Sequence, residues 1–462
     1  MYAQPYGANV PCAPGGRTLH KARTLLAEPQ DRTFAICMLR RIGLQGYILF
    51  APWTAWLCLT GWLRPPIDFL LLALLAAIPM LVQRLARRPA TFFVSQEDGL
   101  LLAVAALAWI SFTQGSMTPK SFNHAFSYSF VFGVFVVLYK RLWLDSGLPI
   151  ERFFKMALFA VLLGDAIILL EWSIINFTGN TFLRDTMVIS KSVTNMDFYD
   201  QSFFKSVAGT AEEPSLFCYN VNALFPLGWY WLNQYGKRGQ AALFVTLHMV
   251  ALVMTASSGG IGFMVIALCV AYGLEARGWQ IANLVWAFLA TAALAFVLYT
   301  ALPVAVQVKA DAFFHQITSK MVFENRSADM REEAWSKGLK DFTSAPLLGR
   351  GPAYGHEAYN MFGYQSWYWK LLAETGVFSL VLVWAFLAII WMRVWRVRQP
   401  LRRYLVISFV ASVLHWAIAD CYYHVSFWIV VCCIQLIHLE RQRARALAET
   451  EPEALAPAEV VG

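Results

Sequence analysis

The sequence predicts an all-α integral membrane protein with about twelve transmembrane helices, and three observations carry that prediction. Hydrophobic residues make up 58% of the 462-residue chain and charged residues only 14%. The mean hydropathy is +0.50. Apolar runs of about 20 residues recur, the length a helix needs to cross a hydrocarbon core of roughly 30 Å.

Hydropathy windows of about 19 residues place the spans at 46–62, 67–84, 99–115, 123–140, 153–176, 214–233, 239–256, 260–275, 279–303, 367–392, 402–420 and 424–439. Alternate connections are then basic. One set carries Arg84, Arg87 and Arg88; Lys140, Arg141, Arg152 and Lys155; Lys237 and Arg238; Arg277; and Arg393, Arg396, Arg398, Arg402 and Arg403. The other set is nearly free of positive charge. The positive-inside rule makes the basic set cytoplasmic, together with both termini. The expected division is a cytoplasmic N-terminal tail over 1–45, a transmembrane domain over 46–439 and a cytoplasmic, disordered tail over 440–462. Two long connections, 178–212 and 304–366, fall on the outer face, the larger between the ninth and tenth helices. In a two-membrane bacterium that arrangement sits in the inner membrane and faces the periplasm.

The first 35 residues hold no run apolar enough for a signal peptide. Five of the eight cysteines (Cys58, Cys218, Cys269, Cys432 and Cys433) fall in predicted spans, and no C-x-x-C pair occurs, so they read as small buried hydrophobes rather than metal ligands or disulfides. The net charge of +8 sits in short loops at span ends. Lipid orientation accounts for it without nucleic acid. The two halves share no repeat of span and loop lengths, which weighs against a secondary transporter.

Against this apolar background stands one polar island, REEAWSKGLKDFTSAPLLGRGPAYGHEAYN, over 331–360. Asp329 and Glu332 have capping-box spacing, and Trp335, Leu339 and Phe342 recur at helical spacing, so a short amphipathic helix is expected to start near Asp329. Arg331 then falls in the first turn, where the helix dipole disfavours a cation unless an anion such as phosphate binds there. The plainer reading pairs Arg331 with Glu332 or Glu333 on a solvated face. Gly349 and Gly351 flank Arg350 in a glycine-rich turn that lacks the G-K-S/T ending of a P-loop. His356 follows in a polar outer loop, where general-base work is open to it as well as a bland surface role.

The other outer loop ends in Glu213 and Pro214, which suit the start of a helix as a structural cap or as part of a site. Lys205 is an ordinary loop cation or a phosphate contact. Asp165, Glu374 and Asp420 are ionisable residues within or at the edge of spans, where charge is costly and faces a bundle interior or a cavity. Glu374 and Asp420 lie at the outer ends of their spans and are expected to support an outer-face site.

With these residues assembled, the chain resembles the O-antigen polymerase/ligase superfamily, multispan lipid-carrier glycosyltransferases, and most closely its exopolysaccharide polymerases. The resemblance rests on layout and on SSGGIG at 257–262, the step from Arg331 to Trp335, PLLGRG at 346–351, LLAETG at 371–376 and GTAEEPS at 209–215. Two departures stand out. Gln365 and Ser366 occupy the place of the family's His-Asn pair, so either His356 substitutes from earlier in the loop or this branch uses no histidine there. An Arg expected before GTAEEPS is missing, with Lys205 nearest to it.

The resemblance implies transfer of a glycan from undecaprenyl diphosphate to the sugar hydroxyl of an incoming lipid-linked unit, without metal or cofactor, in company with a flippase and a chain-length regulator. Arg331, Arg350 and Lys205 would hold the diphosphate, with His356 or Glu213 as general base. The rivals are a ligase that moves finished glycan to a lipid A-core acceptor and, in another class, a lipid or sugar transporter.

Overall fold

The computed structural model describes residues 30–58, 63–87, 95–183, 207–274, 326–361 and 363–450, with isolated positions between 300 and 315. Among these the fold is all-helical, without strands. In chain order the helices are α1 (Gln30–Leu49), α2 (Pro65–Arg87), α3 (Gln96–Gln114), α4 (Pro119–Ser146), α5 (Ile150–Thr178), α6 (Pro214–Tyr235), α7 (Arg238–Met254), α8 (Ser258–Gly273), α9 (Arg326–Ser344), α10 (Tyr354–Tyr359), α11 (Trp367–Trp395), α12 (Leu401–His415) and α13 (Val425–Thr450). α4, α5, α11 and the Val425–Gln442 part of α13 are long and apolar enough to cross a membrane, and α7, α8 and the first part of α2 are shorter apolar helices. The chain is a multispan membrane protein. α4 passes through a π-helical stretch, Val131–Leu138, and α2 and α6 each tolerate an internal proline, Pro79 and Pro226.

The expected first span, 46–62, is not a helix. α1 occupies only its first residues, and the chain turns at Phe50 into an irregular segment. Pro52 supplies no amide hydrogen and disfavours helical backbone before it. The freed backbone is paired elsewhere: Thr54 and Ala55 amides donate to Thr210 O (3.0 and 2.9 Å), and Thr210 Oγ1 donates to Pro52 O (2.7 Å). Trp53 and Trp56 meet edge to face at 6.1 Å against Phe50, Leu163 and Ile167. Hydropathy scores such an aromatic loop as a span because it measures apolarity and not backbone pairing. The expected ninth span, 279–303, lies almost wholly outside the described residues.

α6 and α13 form the centre of the bundle. Residues 216–228 of α6 and 425–437 of α13 are buried on every side, as expected for helices apolar all round. α6 packs against α5, α7, α8, α12 and α13. The SSGGIG turn serves this packing: Ser257 caps α8, and the bare Cα of Gly260 lies where a Cβ would meet Cys218 at 2.3 Å. Asn222 Nδ2 donates to Gly260 O (2.8 Å) across the same contact.

Where α11 and α13 begin and α12 ends, Trp367, Trp416, Tyr422, Phe427 and Trp428 form a buried aromatic block, with Trp416 4.3 Å from both Trp367 and Phe427. Rings of this size bury large apolar areas and fix one another's orientation. They make a rigid floor beneath the island.

Candidate active site

The island docks on the bundle through backbone. α11 is broken at Gly376, whose φ of 77° and ψ of −178° lie in a region open essentially to glycine alone. The break frees the carbonyls before it: Arg350 N donates to Ala373 O (2.8 Å), Gly351 N to Glu374 O (3.0 Å), and Val377 N to Pro346 O (2.9 Å). Gly349 N donates to Ala345 O (2.9 Å), and Ser111 Oγ of α3 donates to Leu348 O. The PLLGRG and LLAETG segments are thus two halves of one joint. The three amides from Gly349 to Gly351 are all taken by carbonyls of the chain, so Gly349 and Gly351 support the joint through backbone.

α9 begins at Arg326, so Arg331 stands in its second turn and the dipole argument for an anion does not apply to it. Its surroundings make the case instead. Arg331 Nε is buried and has no hydrogen-bond partner among the described residues. Its electrostatic neighbours are Glu213 and His415. Burial pulls the guanidinium below its usual range, and Glu213 acts the other way.

Glu213 stands at the N-cap of α6, yet its carboxylate makes no cap hydrogen bond, and no ion pair joins it to Arg331 among the described residues. Nearby protein displaces part of the water around its carboxyl. That loss of surrounding water raises its carboxyl above the usual range despite the pull of Arg331. Glu213 and Arg331 thus interact electrostatically without being joined by an ion pair. Two residues on from Glu213, Ser215 Oγ lies 3.0 Å from His415 Nε2 at the end of α12.

The segment that carries Glu213 is held from several sides. Gly209 N donates to Glu171 Oε2 (2.7 Å). Glu212 accepts from Thr54 Oγ1 (2.7 Å) and is ion-paired with Arg64. Burial alone pushes the Glu212 carboxyl up, but Arg64, His424 and Thr54 hold it below its usual range. Glu212 is therefore an ionised anchor, while its neighbour Glu213 stays unpartnered.

A second polar cluster lies at the start of α11. Lys370 Nζ is 2.6 Å from Asp420 Oδ2 and 5.2 Å from the Tyr422 ring centre. Glu374 Oε2 and Asp420 Oδ1 are buried without hydrogen-bond partners among the described residues. His356 belongs to this neighbourhood. Burial and then Lys120 lower its imidazole below the usual range, and Glu357 beside it accepts from Ser116 and Thr118. Asp341 accepts from Tyr359 and Tyr364 (both 2.8 Å) and ties α9 to the loop around α10.

Arg350 occupies a third place. Its Nε donates to Ser344 Oγ (2.7 Å), its guanidinium lies 5.7 Å from the Tyr354 ring centre, and it lines a pocket of about 550 Å³ with Gln114, Ser116 and Glu357. No described contact joins Arg350 to Arg331. Lys205 lies outside the described residues.

The structure thus brings Arg331 within electrostatic reach of Glu213, brings His356 within reach of Lys370, whose other neighbours are Asp420 and Glu374, and sets Arg350 apart. Ser215, His415, Lys370 and the Arg64–Glu212 pair are additions that the sequence reading missed. Lys370 and His415 did carry a signal, as ionisable residues inside apolar helices.

The comparison with curated proteins finds no match. Residues 241–384 match the family model described as O-antigen ligase. The matched stretch runs from α7 through the island into α11, contains Arg331, Arg350, His356 and Glu374, and leaves Glu213, His415 and Asp420 outside it. That match points to a membrane enzyme that transfers glycosyl groups and supports the resemblance to the O-antigen polymerase/ligase superfamily.

Proposed function

We propose that this protein polymerises undecaprenyl diphosphate-linked oligosaccharide units into surface or exopolysaccharide at the outer face of the bacterial inner membrane, with both termini in the cytoplasm and without a metal. The observation that carries the proposal is that Arg331, whose Nε is buried without a partner among the described residues, interacts electrostatically with Glu213 but forms no ion pair with it. Transfer from a lipid diphosphate needs a cation against the departing diphosphate and a base for the attacking hydroxyl. Arg331 supplies the cation, and Glu213, whose side chain has no hydrogen-bond or ion-pair partner among the described residues, supplies the carboxylate. The acceptor hydroxyl attacks the donor's anomeric carbon, the bond to the diphosphate breaks with its electron pair on the phosphate oxygen, and the proton passes to Glu213.

Polymerisation joins two lipid-linked units, each with its own diphosphate. The separate Arg350 pocket supports a second anion site for the acceptor unit, and Lys205 is a further candidate phosphate contact. Lys370, Glu374 and Asp420 position the joint between the two. The family description favours a second reading, transfer of a finished glycan to a lipid A-core acceptor.

Purified protein in vesicles, supplied only with one lipid-linked repeat unit, is expected to produce a ladder of longer lipid-linked glycans on a gel. Single units that stay single unless a lipid A-core acceptor is added support the ligase instead. Units that cross the bilayer without lengthening support a transporter and sink both.

The base is read from a pH profile. Glu213 must lose its proton to act, and its carboxyl is raised, so kcat is expected to climb with pH through an inflection above the ordinary carboxylate range. Glu213→Gln should cost about 10²–10⁴-fold in kcat and remove that limb. His356→Gln is expected to keep the limb, because an imidazole held below its usual range is already neutral at pH 7. If His356→Gln removes the limb and Glu213→Gln does not, the base is His356.

A further inference from the structure

We infer that the end of the bundle opposite the island carries a binding site for a phosphate anion, between the C-terminal parts of α11 and α13. A pocket of about 480 Å³ there is lined by Arg393, Arg396, Val397, His438, Arg441 and Gln442. The carboxylates behind it are already engaged. Glu97 Oε2 accepts from Arg393 Nη2 (2.7 Å) and Glu97 Oε1 from Gln435 (3.0 Å), while Asp98 binds Lys140 and accepts from Gln435 (3.1 Å). Arg396 forms no ion pair among the described residues. Arg441 Nη1 donates to Arg396 O (2.9 Å), which fixes its guanidinium against the pocket wall.

A concave wall with three guanidinium groups and an imidazole, and no unengaged carboxylate lining it, suits the forked geometry of a phosphate group. Aromatic residues near this end also carry cations: Arg402 lies 4.8 Å from the Trp395 ring centre and Arg403 4.7 Å from that of Tyr272. Such cation and aromatic pairs mark the headgroup layer of a membrane, so the pocket opens at the depth of lipid phosphates. The phosphate is that of an anionic phospholipid headgroup or a free phosphate ion.

Full-length protein is reconstituted in nanodiscs of phosphatidylcholine with or without phosphatidylglycerol, and co-purifying lipid is measured by native mass spectrometry. In a second arm, inorganic phosphate or pyrophosphate is added to phosphatidylcholine-only discs and the melting temperature is read. A lipid site retains phosphatidylglycerol selectively, and the Arg396→Gln/Arg441→Gln double variant lowers that retention at least about tenfold. A free-phosphate site shows instead a melting shift in the second arm that the double variant lacks. Arg398→Gln removes a nearby exposed arginine that does not line the pocket, and it should leave either signal within about threefold. If the double variant changes neither arm, or if Arg398→Gln lowers the signal as much, the site does not exist and the charge at this end serves orientation alone.

Discussion

Arg331→Ala is expected to lower kcat for glycan elongation by about 10²–10³-fold, the cost of removing one preorganised donor to a developing negative charge. The physical argument lies in what Arg331 does not do. A structural arginine buried in a helix of this kind spends its guanidinium on a carboxylate or on carbonyls, because an unpaired buried charge is costly. Arg331 Nε is buried without a partner, and Glu213 is near enough to be felt but forms no ion pair with it. The protein therefore carries a half-buried cation whose Nε has no partner among the described residues. The outcome should separate from folding: no described hydrogen bond depends on Arg331 Nε, so the melting temperature in detergent should change little. Arg331→Lys keeps the charge but loses the planar fork and should recover only part of the rate. Full activity in Arg331→Ala would move the chemistry to the Lys370 and Asp420 cluster. Transport without elongation, unaffected by Arg331→Ala, would end the enzymatic reading altogether.

Much of the helical body was legible because hydropathy and helix length are local properties. The spans expected at 153–176 and 367–392 lie inside α5 and α11. The failure at 46–62 has two origins: Pro52 breaks the helix in a way that apolarity does not score, and the freed backbone pairs with Thr210, which no window of neighbouring residues can contain. Arg331 was legible as a misplaced cation in a polar island, but the reason given was wrong, since α9 starts earlier than the capping pattern implies. The glycine-rich turn was legible as unusual backbone, but its role was not, because its amides bind carbonyls of Ala373 and Glu374 in a different element. Ser215 and His415 are 200 positions apart, and Arg64 and Glu212 are 148 apart. Neither pairing leaves a trace in spacing, so the site's composition could be guessed but not its grouping.

Gly376→Ala is expected to be the most damaging single-methyl change in the chain, destabilising the protein by roughly 2–4 kcal/mol and abolishing elongation with it. At φ 77° and ψ −178° an alanine is strained before any contact is considered. Its Cβ would stand 2.0 Å from Leu347 O and 2.3 Å from Leu347 C, atoms of a backbone that cannot rotate away. The joint fails on its other side for the same reason: Gly349 has φ +69°, and a Cβ there would lie 2.3 Å from the Glu374 carbonyl carbon. Either substitution pushes the island off α11 and with it the hydrogen bonds of Arg350, Gly351 and Val377. Gly262 in α8 provides the contrast, since a Cβ there meets nothing within 4 Å. Gly262→Ala should be neutral or stabilising by up to about 1 kcal/mol, as alanine is in a helix interior. The measurement is the melting temperature in detergent for all three variants, with elongation assayed beside it. If Gly376→Ala melts with the wild type and still elongates glycan, the island does not need its joint to α11. A loss of elongation without loss of stability would have a different meaning: the joint would then hold Glu374 and Arg350 in register for the reaction while contributing little to the fold.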